Sequence, residues 1–170
     1  MRLAAASVVE VVRAAALTPV YQPIVALADG RVVGFEGLVR PAKGCGFDDP
    51  GSLFAVAEAT GHTADLDRLC VQTLLAGAGD LGPDQTLSLN LSPHTLEAPE
   101  FSVGLLLRML AGGEIDPRRI ILELTERQAI TDLEAVRRHL GACREAGFRV
   151  AIDDHGAGAR PLDASEEGLT

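Results

Sequence analysis

The chain has 170 residues, 47% of them hydrophobic and 23% charged. That balance supports a packed core and excludes disorder as the default state. Its 15 basic residues against 24 acidic give a formal net charge of −9. This disfavours nonspecific binding to nucleic acid or to an anionic membrane, since either needs a net basic face. An acidic chain can still take a phosphate ligand when metal ions intervene. No apolar run reaches the roughly 18 residues of a membrane span. A closed eight-stranded β/α barrel takes about 250 residues, more than this chain supplies. The three cysteines, Cys45, Cys70 and Cys143, are far apart and form no C-x-x-C pair. A disulfide framework or thiolate zinc site is therefore disfavoured, and a reducing cytoplasm is the simpler setting.

In chain order, residues 1–17 are Ala/Val-rich, but Glu10 and Arg13 interrupt the apolar stretch. An amphipathic first helix fits better than a signal peptide. Residues 21–27 and 31–39 read as strands. Ala28, Asp29 and Gly30 between them predict an antiparallel hairpin. Residues 41–50 read as a loop, and residues 52–60 as a short helix. Residues 65–76 place Leu66, Leu69, Cys70, Leu74 and Leu75 at helical spacing. A strand over 85–91 follows, then a helix within 93–110 and a strand over 119–124. The helix over 132–146 opens with Thr131 and Glu134 as a capping box and closes at Gly147. A strand over 149–152 ends the regular pattern. Strands spaced by helices imply βαβ units and a parallel sheet, an α/β fold. Residues 159–170 read as a polar tail.

Four strands carry an oxygen donor near their C-terminal ends: Glu36, Asn90, Glu123 and the pair Asp153 and Asp154. The gaps between the last three positions, 33 and 30 residues, match one βα unit each. Such residues should sit at one height on neighbouring strands. Strand parity opposes Leu87, Leu89 and Leu91 to Ser88 and Asn90, Leu122 and Leu124 to Glu123, and Val150 and Ile152 to Asp153. The apolar set should pack on helices, and the oxygens should converge where barrel enzymes keep their sites. Burying these carboxylates together is costly unless a cation compensates. An all-oxygen set favours Mg²⁺ or Mn²⁺, with Ca²⁺ as a further candidate. Adjacent Asp153 and Asp154 could serve two metals, an arrangement suited to phosphodiester hydrolysis.

The run YQPIVALADGRVVGFEGLVRP, followed by NLSP, LELTE and DDHGAG, resembles the EAL-domain family. Its members are bacterial signalling phosphodiesterases that open cyclic di-GMP to the linear dinucleotide. The resemblance covers residues 17–158. It implies a partial TIM-like (β/α) barrel of about five strands that opens on an antiparallel hairpin. The implied organisation is an N-terminal helix over 1–16, a C-terminally truncated EAL domain over 17–158 and a tail over 159–170. Glu36, Asn90, Glu123 and Asp153 match metal ligands, and Asp154 matches the residue facing a second metal. Gln22, Leu38 and Arg40 match dinucleotide contacts, with Arg40 at a phosphate. Glu126 matches a glutamate that steadies a site loop. Mg²⁺ or Mn²⁺ are the implied cofactors, with Ca²⁺ as an inhibitory ion.

Departures from the pattern also matter. Gly37 stands where the family has Ala, which is expected to add only local flexibility. His155 replaces the usual Phe, and Ala157 the usual Thr. The family's later lysine and its general-base glutamate have no counterpart among these residues. Glu166, Glu167, Gly168 and Leu169 echo the motif by chance, since no apolar strand precedes them. The resemblance therefore implies a cyclic di-GMP phosphodiesterase homologue, weak or inactive in this chain alone. A degenerate module that binds cyclic di-GMP or a protein without cleaving it is the alternative. A fifth strand with an open edge predicts a homodimer, another edge-strand partner, or cover by the N-terminal helix or the tail.

Overall fold

The computed structural model of the protein describes residues 7–113, 115–125 and 130–153, with Asp153 described by its backbone alone. Helix α1 (Val8–Ala14) leads into the hairpin of β1 (Leu17–Val25) and β2 (Val32–Pro41). At its turn, Ala26 N donates to Arg31 O and Asp29 Oδ1 accepts from Arg31 N. Gly30, at φ +71°, takes the left-handed position that a side chain resists. The strands pair antiparallel from Leu17↔Pro41 to Val25↔Val32. Strand β1 starts four residues before the expected Tyr21. Its Pro19 and Pro23 mask the pattern, but β1 is an edge strand, where a missing N–H is tolerated.

The other three strands are β3 (Thr86–Leu91), β4 (Ile120–Thr125) and β5 (Arg149–Asp153). The sheet order is β1-β2-β3-β4-β5, and every pair from β2 onward is parallel. Helices α2 (Pro50–Ala59) and α3 (Thr63–Ala76) link β2 to β3, and α6 (Leu133–Glu145) links β4 to β5. The single helix expected within 93–110 is two: α4 (Pro93–Glu97) and α5 (Val103–Ala111). Pro99 cannot continue a helix, and Ser102 restarts one by accepting from Leu105 N. Helix α1 packs on α2 and α3 rather than along β5.

The core lies between one sheet face and the helices. Leu53, Leu66, Leu87, Leu89, Leu91, Ile120 and Leu122 are fully buried there. At the outer end of α3, Tyr21 Oη donates to Leu74 O at 2.7 Å and satisfies a carbonyl of the last turn. Gly37 sits under the same turn. A Cβ there would lie 3.0 Å and 3.1 Å from the two Leu74 methyls and 3.1 Å from the Ser88 carbonyl oxygen. Position 37 therefore lets α3 settle on β2, a closer constraint than local flexibility. Helix α6 ends in a Schellman motif, with Phe148 N donating to Cys143 O, Gly147 N donating to Arg144 O, and Gly147 at φ +101°. Below the sheet, Arg119 gathers the loop before β3 by donating to the carbonyls of Gln85, Leu81 and Gly82.

Short α4 is tied on two sides. On one, Asp67 of α3 accepts through Oδ2 from Ser92 N at 2.8 Å and from Thr95 Oγ1 at 2.6 Å. Asp67 is 4% exposed. Burial pushes its carboxyl up to about 6, and the Thr95 and Ser92 bonds only partly offset this. On the other side, Glu97 accepts from Thr131 N at 2.6 Å, Asp132 N at 2.8 Å and Thr131 Oγ1 at 3.0 Å. His139 of α6 adds a ring-nitrogen bond to Leu96 O at 2.5 Å. The capping box expected at α6 is replaced by this arrangement. Asp132 caps the helix by accepting from Ala135 N, and Thr131 is turned to Glu97 instead.

The Asp132 N–H foremost, with His94 and Thr131 adding, holds the Glu97 carboxyl down at about 2 against an ordinary 4.5. A carboxyl whose folded value lies below its unfolded value adds stability that is complete above the unfolded value. That stability is lost as pH falls through the folded one. Glu97→Gln should therefore lower the melting temperature at pH 7, and the gap to the unaltered chain should close between about pH 4.5 and pH 2. A gap that stays constant across that range in thermal melts would remove Glu97 as the source. Gly37→Ala should cost about 1–3 kcal/mol by overpacking. In denaturant unfolding, combining it with Leu74→Val should cost less than the two changes added separately.

Candidate functional site

The helix-facing and open faces of the sheet differ as strand parity requires. Leu87, Leu89, Leu91, Leu122 and Leu124 are buried toward the helices, while Asn90 and Glu123 are half-buried on the other face. Ile152 departs from the expectation, since it lies on the helix side of β5 yet is half exposed. Gln22 and Glu36 are register partners across the hairpin, so they share the face of Asn90 and Glu123. Leu38 and Arg40 follow Glu36 on that face by the two-residue period.

The register shows how the donors line up. Glu36 pairs with Ser88, Asn90 with Glu123, Glu123 with Ala151, and Thr125 with Asp153. Along the pairing direction, Asn90 and Glu123 lie two residues beyond Glu36, and position 153 lies two beyond them. The donors are therefore staggered in register. Strands of a barrel tilt, and with a shear of 8 over eight strands each neighbour steps by about one residue to hold the same height along the axis. Four residues over the three steps from β2 to β5 follows that stagger, so the expected common height is an axial one.

Two of the donors touch. Asn90 Nδ2 donates to Glu36 Oε1 at 3.2 Å, joining side chains that are 54 residues apart. An amide nitrogen does not ligate a cation, so this bond leaves Oδ1 as the atom of Asn90 with the chemistry to ligate one. Glu123 stands beside Asn90 on the next strand, at a strand spacing of about 4.8 Å. Among the described residues no three His, Cys, Asp or Glu side chains form a metal-binding group. Glu36, Asn90 and Glu123 form two carboxylates and an amide, a hard oxygen set that fits Mg²⁺, Mn²⁺ or Ca²⁺ and does not fit a soft metal. Asp153 enters by register position only. Asp154, Glu126, His155 and Ala157 lie outside the described residues.

The expected ligand contacts lie on the hairpin side of this set. Gln22 and Arg40 are exposed and Leu38 is half-buried. Arg40 Nη1 donates to Val39 O at 3.0 Å. Ser88, one step below Asn90 on the same face, is 1% exposed, and its Oγ has no hydrogen-bond partner among the described residues. A groove of about 680 Å³ runs on the opposite, helical side between α3, α4 and α5, lined in part by Arg68, His94, Phe101 and Met109. It contains none of the strand-end donors. Burial pushes the Cys70 and Cys143 thiols up, which makes both poor thiolates.

The residues that the sequence reading passed over are Asp67 and Glu97, which hold the turn after β3. Asp67 had a visible signal. It is a carboxylate amid the apolar spacing of α3, three residues before Cys70 and seven before Leu74. Glu97 had none, because its partners are backbone groups 34 and 35 residues away.

Comparison with known proteins agrees with this architecture. The family model of the EAL domain matches residues 5–167. The chain is 35% identical over 146 residues to the probable cyclic di-GMP phosphodiesterase PdeB of Escherichia coli K12, an alignment covering 84% of this chain and 28% of PdeB. Among solved structures it resembles Klebsiella pneumoniae BlrP1 in a calcium and cyclic di-GMP complex. There the identity is 33%, the TM-score 0.71, and the cover 86% of this chain and 36% of BlrP1. The manganese and cyclic di-GMP complex of BlrP1 matches at 33% identity and a TM-score of 0.71, over 84% of this chain and 36% of that one. The chain thus spans about a third of the length of these relatives. Its five-stranded sheet with a leading antiparallel hairpin is part of a TIM-like (β/α) barrel. By the family match and these likenesses, the chain belongs to the EAL domain family.

Proposed function

We propose that the strand ends of this chain hold divalent cations and cyclic di-GMP for hydrolysis to the linear dinucleotide. Glu36, Asn90, Glu123 and Asp153 serve as ligands of Mg²⁺ or Mn²⁺, with Asp154 toward a second ion. The observation that carries the reading is the Asn90–Glu36 bond, with Glu123 in register beside it. It brings oxygen donors from three strands to one end of the sheet, and the BlrP1 complexes with manganese, calcium and cyclic di-GMP share the fold. When bound, the cations offset phosphodiester charge and lower the pKa of a water.

The protein's own groups position the dinucleotide. Arg40, at the mouth of β2, offers a guanidinium fork to a phosphate oxygen pair once it leaves Val39 O. Gln22 lies across from Glu36 and supplies amide hydrogen bonds on the hairpin side. Leu38 gives an apolar wall beside the ligand. Asn90 Nδ2 holds the Glu36 carboxylate through Oε1 and leaves Oε2 for a cation. By the family resemblance, Glu126 is assigned to steadying the loop after the fifth strand. The setting is a bacterial cytoplasm, where Cys45, Cys70 and Cys143 stay free.

Hydrolysis also needs a base within reach of the activated water, worth about 10²–10⁴-fold, and none of the side chains proposed above takes that role. The proposal therefore keeps a second reading beside it, a module that binds cyclic di-GMP or a protein partner without cleaving. Calorimetry with Mn²⁺ and cyclic di-GMP, run beside chromatography of the linear product, separates the two readings. Binding of both ligands is expected, with Glu36→Gln losing at least about 10-fold in Mn²⁺ affinity. Fast turnover would discard the binding-only reading, and no heat from cyclic di-GMP would leave only the protein partner.

A second copy of the chain is the proposed edge partner. Strand β5 is last in the order among the described residues, and Ile152 on it is exposed, as are Ile130 and Leu133 at the start of the helix that leads to it. Sedimentation at micromolar concentration should return twice the monomer mass, and Ile152→Lys should return the monomer. A monomeric unaltered chain would count against this partner.

A further inference from the structure

We propose that Asp67 is a positioning residue for the metal-facing amide of Asn90, acting through the turn that follows β3. This rests on the reading of Glu36, Asn90 and Glu123 as cation ligands.

Asp67 itself lies on a helix far from the donors in sequence and touches none of them. Helix α3 is fixed to the sheet by buried Leu66, Cys70, Val71 and Leu74. From that anchored helix, a single oxygen of Asp67 receives Ser92 N and Thr95 Oγ1. Both donors belong to the start of α4, where Ser92 caps the helix by accepting from His94 N. Asn90 is two residues before Ser92. Its chain neighbours Leu89 and Leu91 are 1% and 2% exposed in the core. The strand is thus clamped below Asn90 by packing and above it by the Asp67 bond.

The strand pairing shows why the upper clamp matters. The β2–β3 ladder stops at Gly37↔Leu89, one residue before Asn90. Past that point Asn90 is paired only on the β4 side, to Glu123. The hydrogen bond that reaches Glu36 across the open seam comes from its side chain, at 3.2 Å. A turn released above Asn90 would let that side chain swing off Glu36. Asp67 is paired with no cation among the described residues, so its attachment consists of these two donated bonds. A buried carboxylate without a cation is costly, and an apolar residue would fill the same space at less expense. What an apolar residue cannot supply is the acceptor that Ser92 N and Thr95 require. An amide oxygen can, since it carries two lone pairs.

The test uses the full chain and two readouts. The first is the side-chain amide pair of Asn90 in ¹⁵N spectra without metal, assigned by its loss in Asn90→Ala. The second is Mn²⁺ affinity by calorimetry. Asp67→Ala should move the Asn90 amide pair and weaken Mn²⁺ binding about 10–100-fold, the usual range for groups that orient a ligand. Asp67→Asn should restore both, to within about threefold in affinity. In an Asn90→Ala background, Asp67→Ala should cost nothing further, because a residue acting through Asn90 has nothing left to orient. Thr95→Val, which removes one donor and spares the helix, should shift the amide pair in the same direction should Asp67→Ala fail to fold. The inference is overturned by an Asn90 amide pair that neither Asp67→Ala nor Thr95→Val moves. It is also overturned by an Asp67→Asn variant as impaired as Asp67→Ala, or by additive losses with Asn90→Ala. Absence of Mn²⁺ binding by the unaltered chain would instead sink the cation reading, and the amide spectra would then decide the role of Asp67 alone.

Discussion

Successive side chains of a strand point to opposite faces, and this period of two governs everything else in the molecule. In β3 it assigns three leucines to the helices and sends Ser88 and Asn90 the other way. In β4 it separates Leu122 and Leu124 from Glu123. Core and site are therefore two readings of the same two strands, and neither can shift without the other. A slip of one residue in register would expose the leucines and bury Asn90 and Glu123 against helices. The apolar burial of the core thus holds the donor set in place, at roughly 1.5–3 kcal/mol for each fully buried leucine. That is why a polar cluster can persist at the strand ends without an ion pair of its own.

Parity sets the face but leaves the direction along the strand open, and there α4 takes over. It has only five residues, too short to be stable by itself. Its place comes from Asp67 on one flank and from Glu97 and His139 on the other. These bonds join α3, the turn after β3 and the start of α6 into one rim beside Asn90 and Glu123. The two carboxylates differ in their energetics. Burial opposes ionisation of Asp67, whereas backbone N–H groups favour it at Glu97. The rim is thus held by one group that gives up hydration to satisfy its neighbours and one that gains from them.

Much of this was legible in the sequence, for a physical reason. Periodicity is local, so the leucine faces of β3, β4 and α3 and the hairpin at Gly30 could be read directly. The placing of Asn90 and Glu123 opposite the leucines followed from the same parity. Less local features escaped. The break between α4 and α5 depends on Pro99 and Ser102 inside a stretch whose apolar spacing runs on as if helical. Thr131 looked like half of a capping box because Glu134 stands three residues later, yet a carboxylate from α4 holds it. The tight seat of Gly37 depends on where Leu74 of another element comes to rest. In each case the deciding partner is distant in the chain, and nothing in the local pattern announces it.

The stagger of the donors ties these points to the larger architecture. Register alone places Glu36 beside Ser88, two residues short of Asn90. The bond at 3.2 Å is therefore a diagonal one, within reach of two extended side chains on one face. A stagger of this kind is what strand tilt requires of donors that share a height along a barrel axis. Ser88, the register partner of Glu36, stays beneath that diagonal, buried on the face that carries the donors.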